Sequence, residues 1–322
     1  MDKTNTARLN PFWVIVNKEI SDIIRSWRFI IMLALIVLTC MGSLYTALDN
    51  FSSVAKSSKT DDVFFFLKLF TISDGTLPSF IVFISFLGPL LGISMGFDSI
   101  NSEQNKGTLS RLLAQPIYRD YILNAKFTAA LIILGVLFFA LSFLVLGFGL
   151  IFIGIPPTAE EFLRIVAFSL VSIVYVAFWL NLSILFSVRF RQAATSALAG
   201  ISIWLFFTIF FNMIVNLIAK AIAPSPYAGP NRIMAFQRLM ENIMRINPGQ
   251  LFTDATSTLL IPSVRSLGPL TMEQMSGAIP SPLSLDQSLM LVWPQVTALT
   301  AGTIVFFAIA YVLFMRREIR SR

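Results

Sequence analysis

The polar stretch from Asp98 to Lys126 holds the residues best placed to do chemistry, because it interrupts two long apolar runs. Its charged residues include Asp98, Glu103, Lys106, Arg111, Arg119 and Lys126. The chemistry is ion pairing, since a carboxylate at a bilayer centre costs about 2.5–3.5 kcal/mol on insertion scales and needs water or a cation. We expect Lys126 to pair with Asp98 if the flanking runs are antiparallel neighbours. Glu103 pairs with Arg111 or Lys106, or contacts a docked protein; alternatively, all these charges are solvated interface residues.

The residues from Gly107 to Pro116 predict a sharp turn followed by a short helix. Gly107 permits the turn, Thr108 can cap the helix, and Pro116 ends it. The apolar side of this helix would consist of Leu109, Leu112 and Leu113, and its polar side of Ser110 and Arg111. A short helix that projects from a membrane domain is suited to docking into a groove on a partner protein.

The composition excludes most catalytic chemistry. The chain contains no histidine and a single cysteine, Cys40, which lies within an apolar run. Disulfides, Cys-based zinc sites and His-dependent catalysis are therefore excluded. No G-x-x-x-x-G-K-[ST] motif occurs, so any ATP hydrolysis has to come from another chain. An intramembrane hydrolase or transferase would have to use Asp, Glu, Lys, Ser or Tyr, and no paired intramembrane carboxylates support such an enzyme.

Six apolar runs must position the polar stretch, and they predict an all-α, polytopic membrane protein whose transmembrane domain covers residues 29–322. Of the 322 residues, 56% are hydrophobic and 13% are charged, and the mean hydropathy is +0.78, which is typical of this class. The predicted spans are residues 29–48, 78–97, 127–153, 165–188, 193–219 and 289–315. Gly88, Pro89 and Gly92 predict a kink or a close helix contact in the second span. The net charge of +7 then reflects Lys and Arg residues that flank the spans, not a nucleic-acid partner.

Two further segments are predicted to lie outside the spans. Residues 1–28 form an N-terminal amphipathic helix in the plane of the membrane surface, or else an ordinary charged flank. The apolar side of this helix consists of Trp13, Val16, Ile20, Ile23, Ile24 and Trp27. Residues 220–288 form a large external segment between spans 5 and 6, with a helix over residues 231–245 that lies against the outer membrane surface or over the mouth of the spans. The distribution of Lys and Arg predicts that both termini are cytoplasmic.

Two asparagines and several methionines are the candidates for handling a substrate. Asn212 and Asn216 share a face of span 5, so they either line a pathway or form interhelical hydrogen bonds. The methionines of the external segment are Met234, Met240, Met244, Met272 and Met275. Thioethers are ligands of Cu(I), but methionine on an amphipathic face is more often a plain apolar residue.

The order and spacing of the polar residues resemble the signature of ABC-2 type transporter permeases. This signature consists of Asp98, Glu103, Gly107-Thr108-Leu109, Pro116, Arg119 and Lys126 after a second span. The N-terminal sequence NKEISDIIRSWRF and the sequence NPGQLF near Asn247 are further similarities. They favour the branch that includes the copper-processing permease of nitrous oxide reductase maturation.

The resemblance implies a permease that forms a homodimer or heterodimer and binds two cytoplasmic ATPase subunits, with ATP and Mg on the ATPase and no cofactor on this chain. A coupling helix at 107–115 would dock on the ATPase through Glu103, Gly107, Thr108, Leu109, Arg111, Leu112, Leu113 and Pro116. The interface charges would be Asp98, Arg119 and Lys126. The implied activity is ATP-driven export of an unidentified substrate across the plasma or inner membrane of a prokaryote. The alternative is a subunit that transmits motion to an external protein instead of moving a small solute.

Overall fold

The computed structural model describes residues 10–57, 64–73, 77–115, 117–154, 156–225, 229–263 and 282–316. All regular structure in these ranges is helical, which confirms the all-α prediction. The helices are α1 (Pro11–Ile24), α2 (Trp27–Ser57), α3 (Phe65–Thr71), α4 (Phe80–Gly96), α5 (Asn101–Asn105), α6 (Thr108–Leu113), α7 (Arg119–Ile153), α8 (Ala159–Arg189), α9 (Ala193–Leu205), α10 (Phe211–Ile222), α11 (Pro230–Met244), α12 (Pro248–Leu260) and α13 (Leu285–Arg316). A π-helical turn at Phe206–Phe210 joins α9 to α10. Pro116, Met272 and Met275 lie outside the described residues.

Within these ranges, six stretches are long and apolar enough to cross a membrane, as predicted. They are Trp27–Asp49, Phe80–Asn105, Arg119–Phe152, Ala159–Arg189, Ala193–Ile222 and Leu285–Arg316. The third begins well before the predicted residue 127, so Lys126 lies inside a helix and not at its start. We call the end of the bundle with α1, α5 and α6 the α6 end, and the opposite end, with α3 and α11, the α11 end.

Helix α8 forms the centre of the bundle and packs against α4, α7, α9, α12 and α13. Its contact with α4 is close, because two glycines of α4 lie directly against the α8 backbone. A Cβ atom on Gly92 would lie 2.6 Å from the Val176 carbonyl oxygen, and one on Gly96 would lie 2.8 Å from the Leu180 carbonyl oxygen. The close helix contact predicted from Gly92 is therefore confirmed.

Pro89 leaves one carbonyl group of α4 without its helical donor, and α8 supplies the replacement. Proline has no N–H group, so the Ser85 carbonyl four residues earlier cannot complete its bond within the helix. The Tyr175 hydroxyl donates to this carbonyl oxygen at 2.9 Å. Tyr175 is buried and stacks on Phe252 of α12, with ring centroids 4.3 Å apart. The interruption in α4 is therefore held in the core by α8 and α12.

Replacing Gly92 by alanine is expected to destabilise the bundle by about 1–3 kcal/mol, because the added methyl group would overlap backbone atoms of α8. The matched control is Gly135→Ala on α7, where a Cβ atom would meet nothing within 4 Å. This control should be neutral, or stabilising by up to about 1 kcal/mol. Thermal unfolding of the detergent-purified proteins compares the two variants. Equal midpoints for both would contradict the close packing of α4 on α8.

Two short helices at the α11 end belong to the core. Helix α3 buries Phe66, Leu67, Leu69 and Phe70. Helix α12 falls within the segment 220–288 that the sequence places outside the spans, yet it packs against α3, α4, α8 and α13. Its buried apolar residues are Leu251, Phe252, Ala255, Leu259 and Leu260. Asn247 caps α12, since its Oδ1 atom accepts from the Gly249 N–H at 2.9 Å, so the NPG sequence both follows one helix and starts the next.

Helix α11 is the most exposed helix of this end. Its bounds, Pro230–Met244, agree with the helix predicted over residues 231–245, and none of its residues is buried. It contacts α10, the second half of span 5. One face of α11 therefore remains uncovered by the described part of the chain.

Candidate functional site

Lys126 of α7 lies at the centre of a buried ionic network at the α6 end. Its Nζ atom lies 2.7 Å from Glu19 Oε2 of α1 and 2.8 Å from Glu103 Oε1 of α5. The side chains of Lys126, Glu19 and Glu103 are only 7%, 9% and 13% exposed. A single ammonium group thus ties together the N-terminal helix, the segment before the Gly107 turn, and the third span.

Lys18 extends the network towards solvent. Its side chain is half-exposed, and its Nζ atom lies 2.9 Å from Glu19, 3.2 Å from Asp22 and 3.5 Å from Glu103. Burial raises the pKa of Glu19, but the ammonium groups of Lys126 and Lys18 lower it further, so the pKa lies below its ordinary value. Burial lowers the pKa of Lys18, but Glu19, Glu103 and Asp22 raise it above its ordinary value. The fold therefore favours the charged forms of both Glu19 and Lys18.

The structure pairs the predicted interface charges differently from the sequence prediction. Arg28, in the first turn of α2, lies 2.7 Å from Asp98, and its guanidinium group lies over the Phe97 ring. The predicted Asp98–Lys126 pair is therefore replaced by an Arg28–Asp98 pair. Glu103 pairs with Lys126 and not with the predicted residues of its own segment. These pairs result from tertiary packing, because α2 packs on α4 and α1 packs on α7. The packing brings Arg28 to Asp98 and Glu19 to Lys126, although the paired residues lie far apart in the sequence.

Helix α5 is held by the C-terminal end of α8. The Ile100 and Asn101 N–H groups donate to Ser187 Oγ at 2.9 and 3.2 Å, which supplies a cap at the start of α5. The Asn105 side-chain amide donates to the Arg191 carbonyl oxygen at 3.0 Å. Movement of α5 would therefore pull directly on the end of α8.

The turn between α5 and α6 has the geometry predicted for Gly107. Its φ angle of +68° lies in the left-handed region that favours glycine. Thr108 is the first residue of α6, and its hydroxyl donates to the Glu103 carbonyl oxygen at 3.1 Å. Its side chain therefore bridges the turn, whereas the sequence predicts that it caps the helix. The turn is thus bonded to the residue that reaches Lys126.

Helix α6 has an inner and an outer side. Leu109 is buried, and Leu112 is half-buried against the same core. The exposed residues around the turn are Asn105, Lys106, Gly107, Thr108 and Arg111. Leu113 is the last residue of α6. Leu109 and Leu112 thus fix α6 on the bundle, and its described outward surface is polar and basic.

An open cavity of about 610 Å³ borders the network. Its lining includes Lys18, Arg28, Asp98, Glu103 and Arg111. Among the residues that the structure describes, no group of three or more His, Cys, Asp and Glu residues could hold a metal ion. The arrangement is suited to transmitting displacement between helices.

A comparison with protein-family models decides the family. The model for the ABC-2 family transporter protein matches residues 13–319 of this chain. The chain belongs to this ABC-2 transporter family. It is therefore a membrane permease subunit of an ABC transporter, as the signature residues of the 98–126 stretch predict.

Two curated relatives of this ABC-2 permease bear the same name, "Probable ABC transporter permease protein NosY". The protein from Pseudomonas aeruginosa is 26% identical over 313 residues, which cover 95% of this chain and 98% of the relative. The protein from Stutzerimonas stutzeri is 26% identical over 216 residues, which cover 62% of this chain and 68% of the relative. The similarity thus extends well beyond the polar stretch.

The remaining sequence-predicted residues of the ABC-2 permease lie apart from the network. The Arg119 guanidinium donates to the Phe314 carbonyl oxygen and lies 5.1 Å from the centre of the Phe314 ring, which ties the start of α7 to the end of α13. Asn212 is half-buried and Asn216 is exposed on α10. Within the described residues, Asn212 Oδ1 has no hydrogen-bond partner. The two asparagines therefore do not meet the charged network.

Sequence reasoning missed Glu19, which the ABC-2 permease uses to bind Lys126. The available signal was its position: Glu19 lies three residues after Val16 and four before Ile23, so it shares the apolar face of α1. A carboxylate on such a face has to find a cation when the face is buried. Ser187, which caps α5, gave no such signal, because serine is common within packed membrane helices.

Another buried charged residue, Arg164 of α8, organises the α11 end. It is fully buried, and its guanidinium group donates to the Leu259 and Leu283 carbonyl oxygens at 2.9 and 2.6 Å. It also donates to Ser288 Oγ at 3.1 Å and pairs with Glu160 at 2.8 Å. Arg164 thus joins α8 to the end of α12 and to the start of α13.

Proposed function

We propose that a separate cytoplasmic ATPase drives this permease by docking on the turn between α5 and α6. The observation that carries the proposal is the position of Glu103. It is bonded to Lys126 of α7 on one side and, through its carbonyl oxygen, to Thr108 of the exposed turn on the other. A protein that moved the turn would move Glu103, and with it a span of the permease.

The bonding network offers three routes from the turn into the membrane domain. The first runs through Glu103 and Lys126 into α7, and the second continues from Lys126 to Glu19 of α1. The third runs through Ser187 into α8. ATP and Mg bind to the ATPase subunits, and closure of the ATPase dimer draws the coupling helices of two permease copies together. The rotation of the spans then exports a substrate.

The proposed docking places the α6 end in the cytoplasm, with both termini on that side of the plasma or inner membrane. The exposed basic residues around the turn, Lys106 and Arg111, support this side, because Lys and Arg are enriched in cytoplasmic loops. A second permease copy, identical or homologous, completes the transporter.

Cross-linking from the outer side of α6 tests the docking. Cys40→Ser removes the single native thiol, and Arg111→Cys then places one thiol on the exposed side of α6. A photoactivatable thiol reagent should capture a polypeptide with a G-x-x-x-x-G-K-[ST] motif in native membranes. The matched control, Arg232→Cys on the exposed surface of α11, should capture none. The docking is wrong if Arg111→Cys captures no nucleotide hydrolase.

The same two cysteine variants report the orientation of the chain in the membrane. A membrane-impermeant maleimide added to intact cells should label Arg232→Cys and leave Arg111→Cys unlabelled. Inside-out vesicles should give the reverse pattern. Labelling of Arg111→Cys from outside would reverse the proposed topology.

A second candidate function is transmission of motion to an external protein, and the exposure of α11 favours it. None of the α11 residues is buried, and Leu239 is 47% exposed on its outer surface. Replacing Leu239 by glutamate should abolish capture of an external protein if this function holds, while the ATPase activity of the complex persists. This second function would be contradicted if no external protein is captured from α11 and Leu239→Glu loses solute export.

A further inference from the structure

Three arginines surround a second cavity at the α6 end, separate from the charged network. The cavity has a volume of about 610 Å³, and its described lining is Val188, Arg189, Phe190, Arg191, Leu313 and Arg316. Arg189 is the last residue of α8, and Arg316 is the last residue of α13. All three arginines are exposed. In the part of the chain that the structure describes, none of them forms an ion pair.

The lining combines guanidinium groups, which suit a phosphate, with apolar side chains. Guanidinium groups bind phosphate through paired, charge-assisted hydrogen bonds, and the described lining contains no carboxylate that would compete for them. The rest of the lining is apolar: Val188 is buried and Leu313 is 37% exposed. A ligand that fits both parts combines an anionic phosphate with a hydrocarbon portion.

The position of the cavity points to a membrane lipid as the source of that ligand. Helices α8 and α13 are membrane spans that end at Arg189 and Arg316, so the arginines lie where the spans leave the bilayer. Basic pockets between spans at this level suit anionic lipid headgroups. We propose that Arg189, Arg191 and Arg316 form a binding site for an anionic phospholipid, with the phosphate between the guanidinium groups and an acyl chain along Leu313.

The site adjoins the proposed docking turn without sharing its residues. The Arg191 carbonyl oxygen accepts from the Asn105 side chain, which belongs to the segment just before Gly107. A lipid held by Arg191 would therefore lie beside α5. The lipid site does not depend on the ATPase docking, because its residues differ from Lys106, Thr108 and Arg111.

The test titrates fluorescent, short-chain phosphatidylglycerol into the detergent-purified full chain. The variant R189Q/R191Q/R316Q should bind this lipid about 100-fold more weakly, because each arginine near an anionic membrane surface contributes about fivefold. The control K220Q/R232Q/R238Q removes three exposed positive charges at the α11 end and should bind like the parent protein. Phosphatidylcholine should bind weakly to all three proteins. Matching thermal unfolding midpoints establish that the variants are folded.

Three results would overturn the proposal. The first is an unchanged affinity of R189Q/R191Q/R316Q for phosphatidylglycerol. The second is displacement of the lipid by inorganic phosphate alone, which would assign the site to a small free anion. The third is loss of ATPase association in R189Q/R191Q/R316Q with lipid binding intact, which would make the three arginines a protein-docking surface.

Discussion

Replacing Lys126 by methionine is expected to destabilise the protein by about 3–5 kcal/mol, because it leaves two buried carboxylates without their cation. Glu19 and Glu103 are 9% and 13% exposed, and both accept from the Lys126 ammonium group. Lys18 contacts both carboxylates as well, but its side chain is 48% exposed. It can compensate for only part of the lost charge, because solvent screens a half-exposed pair.

Cys40 provides the readout for this variant. It is the single cysteine of the chain and is buried within α2, so a thiol-reactive fluorophore labels it only as the bundle opens. Lys126→Met should shift the labelling transition to lower temperature. The control, Lys18→Met, should shift it little, since exposed ion pairs contribute about 0–1 kcal/mol. Equal shifts for Lys126→Met and Lys18→Met would contradict the burial of the network.

Neutralising all three buried groups separates stability from coupling. The variant E19Q/E103Q/K126M carries no unpaired buried charge, and uncharged replacements for buried ion pairs are often neutral or stabilising. We expect the temperature at which its Cys40 becomes labelled to return close to that of the parent protein. Its transport should nevertheless be uncoupled from ATP hydrolysis, because the charge-assisted bond that Lys126 donates to Glu103 is gone. Normal transport by this variant would exclude the network as the route from the turn to α7.

The sequence predicts those features that depend on local runs of residues. Each of the six spans follows from its own apolar stretch, and the turn at Gly107 follows from a glycine between two polar segments. The position of Lys126 at the edge of an apolar run indicates a cation available to a carboxylate, and Asp98 is the carboxylate that the sequence predicts. The partners that it has in the structure could not be predicted, because they depend on how α1 lies against α7.

The burial of helix α12 at the α11 end is another feature that the local sequence does not predict. Its start has local signals, an asparagine cap at Asn247 followed by Pro248. Its length of 13 residues is too short for a span, so hydropathy alone places it outside the membrane domain. Its burial results from contacts with α3, α4, α8 and α13, which only the assembled bundle provides.

Helix α8 links the two ends of the permease. At the α6 end Ser187 caps α5, and at the α11 end Arg164 binds the end of α12 and the start of α13. Between them, the close contact at Gly92 keeps α4 and α8 together. The route through α8 should therefore carry displacement of the α5–α6 turn to the α11 end alongside the route through Lys126 into α7, and Arg164 is the residue that joins α8 to α12 and α13 there.

Replacing Arg164 by methionine is expected to destabilise the protein by about 3–5 kcal/mol, with the largest effect at the α11 end. The Leu259 and Leu283 carbonyl oxygens would lose a charged donor, the first in a buried bond and the second in a partly buried one. A buried acceptor left without a partner costs about 1–3 kcal/mol. Loss of the pair with Glu160 adds little, because that side chain is 37% exposed and can be hydrated. The control Glu160→Gln should therefore be nearly neutral.

Hydrogen exchange distinguishes this local effect from general unfolding. In Arg164→Met, the amides of α12 and of the first turns of α13 should lose protection, while those of α5 and the start of α7 keep it. Arg164→Lys should recover only part of the protection, because one ammonium group cannot reproduce the planar fork that reaches two carbonyl groups and Ser288. Uniform loss of protection in all spans would show that Arg164 stabilises the whole bundle and does not specifically hold α12 and α13 on α8.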